Sequence, residues 1–299
     1  MERSEFTFTA MGSLCRIWMD AGDAAHAKAV AADMLGEIAR IEARYSRYRP
    51  DSLLSTINRA AAEGGCIELD EETAGLLDYA CACHRKSGGQ FDITAGCLRR
   101  AWDFSAATPP EPGAIEALLP YIGLARLAWQ RPRLSFPQPG MELDFGGIGK
   151  EYAVDRAADI CRAGGIGHAL IDLGGDIRAV GCQGDGAPWP VGIRHPRDGD
   201  AALAVLAVDG RAVATSGDYE RCIEIGGRRY CHILDPRTGW PVQGLAAVTV
   251  VAPSCMVAGS VATIAMLKGD GAPAWLAGLG LPHLWVDPSG RQGGNLLPA

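Results

Sequence analysis

The chain has 299 residues, enough for one large domain or two, and its 48% hydrophobic content is ample for a buried core. Its 28 basic against 35 acidic residues leave a net charge of −7, with no basic run and no basic stripe interleaved with aromatics, which speaks against a nucleic-acid partner. No stretch approaches the roughly 20 apolar residues of a membrane helix, and the ten cysteines form neither a CxxC pair nor a regular framework, so reduced thiols fit them better than disulfides or zinc.

The N-terminal MERSEFTFTAMGS has no apolar h-region and no lipidation cysteine, so the chain as written reads as cytoplasmic; a trimmed export leader would make it periplasmic. A strand is expected over residues 5–19, then a helix from about 24 to 43 whose apolar positions recur at helical spacing. A second helix covers about 71–86 and stops at Gly88-Gly89. Three prolines make residues 108–112 a surface loop, and 132–140 supplies a turn.

The segment that follows, LDFGGIGKEYAVD (143–155), is the most informative in the chain. MELDF reads as a short strand, Gly146, Gly147 and Gly149 are able to take positive φ, and YAVDRAADICRA reads as an amphipathic helix. A helix N-terminus offers unpaired N–H groups, and Lys150 adds a full positive charge beside them, so the segment is equipped to handle an anion. It is not a P-loop, because Asp144 stands where that pattern needs its first glycine and Glu151 where it needs Ser or Thr. Taken alone, a plain strand-to-helix turn explains it equally well.

From residue 169 onward strands and turns dominate (ALIDL, DIRAVG, VGIRH, LAVLAVDG, AVATS, CIEIGG, YCHIL, AAVTVVAP), interrupted by a strong helix at 256–268 and a shorter one near 272–279. The 39 glycines sit mostly at strand ends, which suits a site built from turns. The pattern reads as one α+β unit with two intertwined lobes.

Beside the 143–155 segment the chain carries TAMGS (9–13), YSRYRPDSLLSTIN (45–58), GGQFDITAGCLRRAW (88–102), ALIDLGGDIRAVG (169–181), ATSGDYERC (214–222) and HILDPRTGWP (232–241). No piece is specific by itself. In this order and spacing the set resembles the ApbE family, FAD:protein FMN transferases, over about residues 7–270. The resemblance implies a T-fold-related α+β architecture: a single two-lobed unit over 1–299, with mixed or antiparallel sheets, flanking helices and a ligand cleft between the lobes. It also implies an enzyme that takes FAD as substrate, uses magnesium, and moves the FMN half to a Thr or Ser hydroxyl of an acceptor flavoprotein, releasing AMP.

Cleaving the FAD pyrophosphate asks for charge neutralisation more than covalent help, and Lys150 and magnesium are the obvious suppliers. By the resemblance, Asp144 and Lys150 contact the flavin nucleotide, and the Gly147 carbonyl is a metal ligand of the kind a hard cation accepts. His232 stands against the phosphates or the attacking hydroxyl, an acid/base role suited to an ordinary pKa of about 6.5. Met11 and Tyr48 match flavin-lining positions, with core packing an equal rival for each. Gln90, Phe91 and Asp92 match a nucleotide-contacting strip, whereas Thr94 and Trp102 are expected to pack. Gly174, Gly175 and Asp176 let backbone approach the ligand; Thr215, Ser216, Gly217 and Asp218 offer hydroxyls and N–H groups to phosphate, and Ile233 is counted with His232. DPRTG taken alone is a simple turn, in which Asp235 caps its own backbone and Gly239 permits reversal.

One departure matters. Relatives carry an Asp and a Thr four residues apart on the helix after VTVVAP, a spacing that puts both on one face toward the metal. Here Thr263 is present, Gly259 takes the Asp position, and Glu151 stands where relatives have Gly after the lysine. Either a carboxylate from elsewhere, Glu151 or the target protein, completes the magnesium site, or the chain binds flavin without transferring it. An FAD pyrophosphatase and a non-catalytic flavin-binding protein are the alternative functions. On this reading an Asp placed at 259 restores a carboxylate one turn before Thr263.

Overall fold

The computed structural model describes residues 1–106, 108–199 and 201–296. Side chains alternate between two faces along β1 (Glu2–Ala10) and β2 (Ser13–Ala21), as an amphipathic hairpin requires. The single strand expected over 5–19 is therefore two: Met11 (φ 50) and Gly12 (φ 73) both take left-handed conformations and reverse the chain, so that Ala10 pairs with Ser13. Helix α1 (Ala24–Tyr45) follows, capped by the Asp23 carboxylate on the Ala25 N–H. Helix α2 (Leu53–Ala62) was hidden in the YSRYRPDSLLSTIN motif; Ser52 caps it, accepting from Ser55 N at 2.9 Å.

β3 (Cys66–Glu68) leads to α3 (Glu71–Ser87), which begins at the Asp70 cap and ends at left-handed Gly88, as the glycine pair predicts. A 3-10 helix covers Ile93–Arg100, and α4 (Pro112–Glu116) starts inside the expected proline loop, because Pro is tolerated in a first helical turn. β4 (Ala128–Gln130) and β5 (Arg133–Ser135) join β3 in a small sheet of order β3-β5-β4. MELDF alternates buried and half-buried residues yet is not a strand. Its backbone is satisfied otherwise: the Asn58 amide bonds both Leu143 N (2.8 Å) and Leu143 O (3.0 Å), and Asp144 N donates to Ile93 O.

Helix α5 (Gly149–Ala163) precedes β6 (Ala169–Leu173), β7 (Asp176–Val180), β8 (Trp189–Arg194), β9 (Ala202–Val208), β10 (Ala212–Gly217), β11 (Cys222–Ile225), β12 (Arg228–Cys231) and β13 (Ala247–Ala252). Then come α6 (Cys255–Lys268), α7 (Ala272–Leu279), β14 (His283–Val286) and β15 (Gln292–Gly294). The main sheet has eight strands in the order β1-β2-β6-β7-β10-β13-β14-β15, and its neighbouring strands all pair antiparallel.

Period-two alternation gives this sheet two cores. Ala169, Ile171, Ala214 and Val250 point to the face covered by α1, α5 and α6, where Met34, Ala157 and Ala262 are fully buried. Leu170, Ala179, Val213 and Val251 point to the other face, against Trp189, Val191 and Val208 of the β8–β9 hairpin. A third cluster, Leu98, Trp102 and Ile115 with Tyr230, Leu234 and Trp240, ties the 3-10 helix and α4 to the β11–β12 hairpin and the turn after it. The fold is α+β. Among the described residues no helix is long and apolar enough to cross a membrane.

Candidate active site

A cavity of about 970 Å³ is walled by the β1–β2 turn, the end of α1, residues 90–99, the α5 N-terminus, the β6–β7 turn, the end of β10, and His232 to Leu234. Lys150, the second residue of α5, points its ammonium at Asp176, with Nζ 2.9 Å from Oδ2. Asp176 is held there by a tight hairpin whose Gly174 (φ 65) and Gly175 (φ 93) take the conformations that other residues avoid. Burial pulls the Lys150 amine down, but the charge and hydrogen bond of Asp176 outweigh it and raise the pKa above its ordinary value, so the lysine stays a cation.

Asp144 is braced from two sides: Arg47 Nη1 lies 2.7 Å from Oδ2, and Gly146 N donates to Oδ1 at 2.8 Å. Arg47 also bonds Glu142 (2.7 Å), which fixes the segment that fails to become a strand. None of Gly146, Gly147 and Gly149 adopts the positive φ expected of them. Neighbours crowd two of them: a Cβ on Gly147 would sit 3.3 Å from the Phe91 ring, and one on Gly146 3.0 Å from Asp144 Oδ1, whereas one on Gly149 would meet nothing nearer than Phe145 Cβ at 4.0 Å.

His232 is largely enclosed, and its Nδ1 is buried with no hydrogen-bond partner among the described residues. Burial, then the charges of Arg99 and Arg221 in the same cavity, lower its pKa to about 4, so the ring is neutral at pH 7. Ser216 and Thr263 share a hydroxyl–hydroxyl bond of 3.0 Å, and Thr215 pairs with Thr249 at 2.9 Å.

Met11, Tyr48, Gln90, Phe91, Asp92, Asp144, Gly147, Lys150, Thr215, Ser216, Gly217, His232, Ile233 and Thr263 all line this one cavity. Asp218 does not; it turns away to a two-pronged ion pair with Arg197 (2.6 and 2.8 Å), because the chain leaves β10 at Gly217. Several members are also engaged by the fold. Asp92 caps the 3-10 helix through Thr94 N (2.8 Å) and holds Leu124 N (2.9 Å), and Gln90 donates to Leu267 O. Tyr48 is 77% exposed at the rim. Thr94 and Trp102 pack, as expected, and Asp235 does cap its own turn through Arg237 N.

Sequence reasoning passed over Arg47, Arg99 and Arg221 and the pairing role of Asp176. Arg47 sat inside the quoted SRYRP, but nothing local says that an arginine will reach residues about a hundred positions away. Hard oxygen donors that suit a divalent cation also line the cavity: the Gly147 backbone, the Thr263 hydroxyl and the buried Glu151 carboxylate. Among the described residues, no group of three or more His, Cys, Asp or Glu is arranged to hold a metal.

The ApbE family model matches residues 11–284. An FAD:protein FMN transferase of Haemophilus influenzae is 30% identical over 241 residues, which cover 77% of this chain and 70% of that protein. The crystal structure of the ApbE protein of Thermotoga maritima superposes with a TM-score of 0.89 at 30% identity, covering 98% of this chain and 97% of that one. The Pseudomonas stutzeri flavinyl transferase ApbE superposes at 0.86 with 30% identity, over 97% of this chain and 93% of the other.

Proposed function

The chain belongs to the ApbE family, and from that premise we propose that it transfers the FMN half of FAD to a Thr or Ser hydroxyl of an acceptor flavoprotein, releasing AMP. The observation that carries the reading is one cavity with a fixed cation, Lys150 on Asp176, and a neutral imidazole, His232, with an unpartnered ring nitrogen.

The acceptor hydroxyl oxygen bonds to the phosphorus on the FMN side. The bond from that phosphorus to the bridging oxygen breaks, and AMP leaves with the electron pair. The hydroxyl proton needs a base, and His232 is uncharged at pH 7 and able to take it. Lys150 offsets the charge that grows on the departing phosphate, from a position already set by Asp176. Met11 and Phe91 offer a thioether and an aromatic ring to the flat flavin, with Tyr48 at the rim. Magnesium, when bound, supplies further neutralisation of the pyrophosphate, and the Gly147 carbonyl and Thr263 hydroxyl would hold it. We read residues 1–299 as one working unit, since residues from 11 to 267 contribute to the walls of one cavity. Ten unpaired cysteines support a reducing compartment.

Mass spectrometry of a candidate acceptor after incubation with the protein, FAD and magnesium tests the reading. The acceptor is expected to gain one FMN, and to lose that gain when its target Thr or Ser is replaced by Ala. Free FMN with an unmodified acceptor would mean that water is the nucleophile and the protein a pyrophosphatase; unchanged FAD would mean a flavin carrier.

A further inference from the structure

Gly259 and Thr263 lie four residues apart on α6 and therefore share a face. Gly259 is enclosed, and a Cβ built on it would stand 2.5 Å from both Cγ and Oε1 of Glu151 and 2.9 Å from its Cδ. A side chain at 259 requires the buried Glu151 side chain to move. Glu151 reaches this spot from the first turn of α5, so its carboxylate ends against the same face of α6 that carries Thr263.

Glu151 is only 7% exposed, lines the cavity, and has an Oε2 that is buried without a hydrogen-bond partner among the described residues. Buried carboxylate oxygens are ordinarily satisfied. The cation next in sequence, Lys150, is committed to Asp176 at 2.9 Å. Thr263 pairs with Ser216, but a hydroxyl has two lone pairs and one proton, so that bond leaves Thr263 an oxygen lone pair to offer. A carboxylate oxygen with no donor among the described residues, on the helix face that carries a hydroxyl oxygen, is hard-cation chemistry.

We propose that Glu151 is the carboxylate ligand of a divalent cation, acting with the Thr263 hydroxyl, and that residue 259 is glycine to make room for it. The negative charge is delivered from α5 instead of α6. This rests on the reading above in which a divalent cation assists the transfer. It also reverses the expectation for Gly259→Asp: that substitution alone adds a second carboxylate where Glu151 already sits, and it is expected to weaken metal binding and not to improve it.

Mn²⁺ is the probe, titrated by EPR into the purified full chain with FAD present and acceptor absent. Wild type is expected to bind Mn²⁺, and Glu151→Gln to bind it at least about tenfold more weakly. The same variant is expected to lose the rise in melting temperature that Mn²⁺ gives wild type. Without metal this near-isosteric variant should melt close to wild type. The exchange Glu151→Gly with Gly259→Asp returns the carboxylate to α6 and is expected to recover most of the lost affinity. Equal Mn²⁺ affinity and equal metal-induced stabilisation in wild type and folded Glu151→Gln overturn the proposal while leaving the transferase reading intact, and a wild type that binds no Mn²⁺ also overturns it. Transfer undiminished by excess EDTA would sink the metal reading itself, and this inference with it.

Discussion

At Lys150 the decisive quantity is a charge held in place before substrate arrives. Replacing it with Ala is expected to slow transfer by roughly two to three orders of magnitude, the scale of removing one preorganised charge-stabilising group, with the rate followed as FMN-labelled acceptor. Asp176→Asn keeps the lysine but frees its position, so the loss should be smaller. His232 carries a pH consequence. Its folded pKa of about 4 lies below the ordinary 6.5, so between those values the unfolded chain binds more protons than the folded one. The stability this residue contributes is complete above about 6.5 and is lost as pH falls toward 4. Denaturant melts at pH 7 and pH 5 should therefore show a drop that is smaller in His232→Gln, and NMR of the ring should find its midpoint near 4. A midpoint at 6.5 would show that His232 is not enclosed as described.

The elements that decide the site are α5 and α6, and they are locked together by Asp155. Its two oxygens accept from Cys255 N (2.8 Å) and Met256 N (2.9 Å), capping α6 from a neighbouring helix. Glu151 and Gly259 meet one turn further along each helix, 155 to 151 and 255 to 259, so the helices run antiparallel in register. Asp155→Ala is expected to cost about 1–2 kcal/mol, the usual worth of a cap with its favourable charge, measurable by urea melts. At Gly259 two effects compete. Alanine in a helix is better than glycine by about 1 kcal/mol, whereas overpacking costs about 1–3 kcal/mol, and a 2.5 Å approach to an enclosed Glu151 makes the second win. Gly259→Ala should thus destabilise wild type and stabilise Glu151→Gly; the same sign in both backgrounds would mean that Glu151 does not occupy that space.

For the whole molecule, the cavity reaches about 970 Å³ because elements from residue 11 to residue 267 wall it, which is at the top of the range of roughly 300–1,000 Å³ for small-molecule sites. That capacity suits a dinucleotide better than a mononucleotide, and on the proposed reading Lys150 serves the pyrophosphate that only FAD possesses. The protein is expected to bind FAD more tightly than FMN by calorimetry, and FMN binding as tightly as FAD would show that the AMP half gains nothing from the cavity.

Sequence alone determined the features that local chemistry dictates. The period-3.6 segments became α1, α3, α5, α6 and α7, the alternating segments became the strands from 169 onward, and the ordered motifs identified the family and pointed to candidate residues that, Asp218 apart, lie along one cavity. It misjudged places where a distant partner rules. The strand expected at MELDF gave way because Asn58 takes its backbone bonds; Asp218 left the site for Arg197; and Arg47, from the other end of the motif set, braces Asp144. The Glu151 and Gly259 exchange lies between these cases. Both departures were visible in the sequence, 108 positions apart, but that one carboxylate fills the space emptied by the other residue is a statement about two helices packed at van der Waals distance. Volume exclusion between elements has no local signal, and so only the tertiary structure decided it.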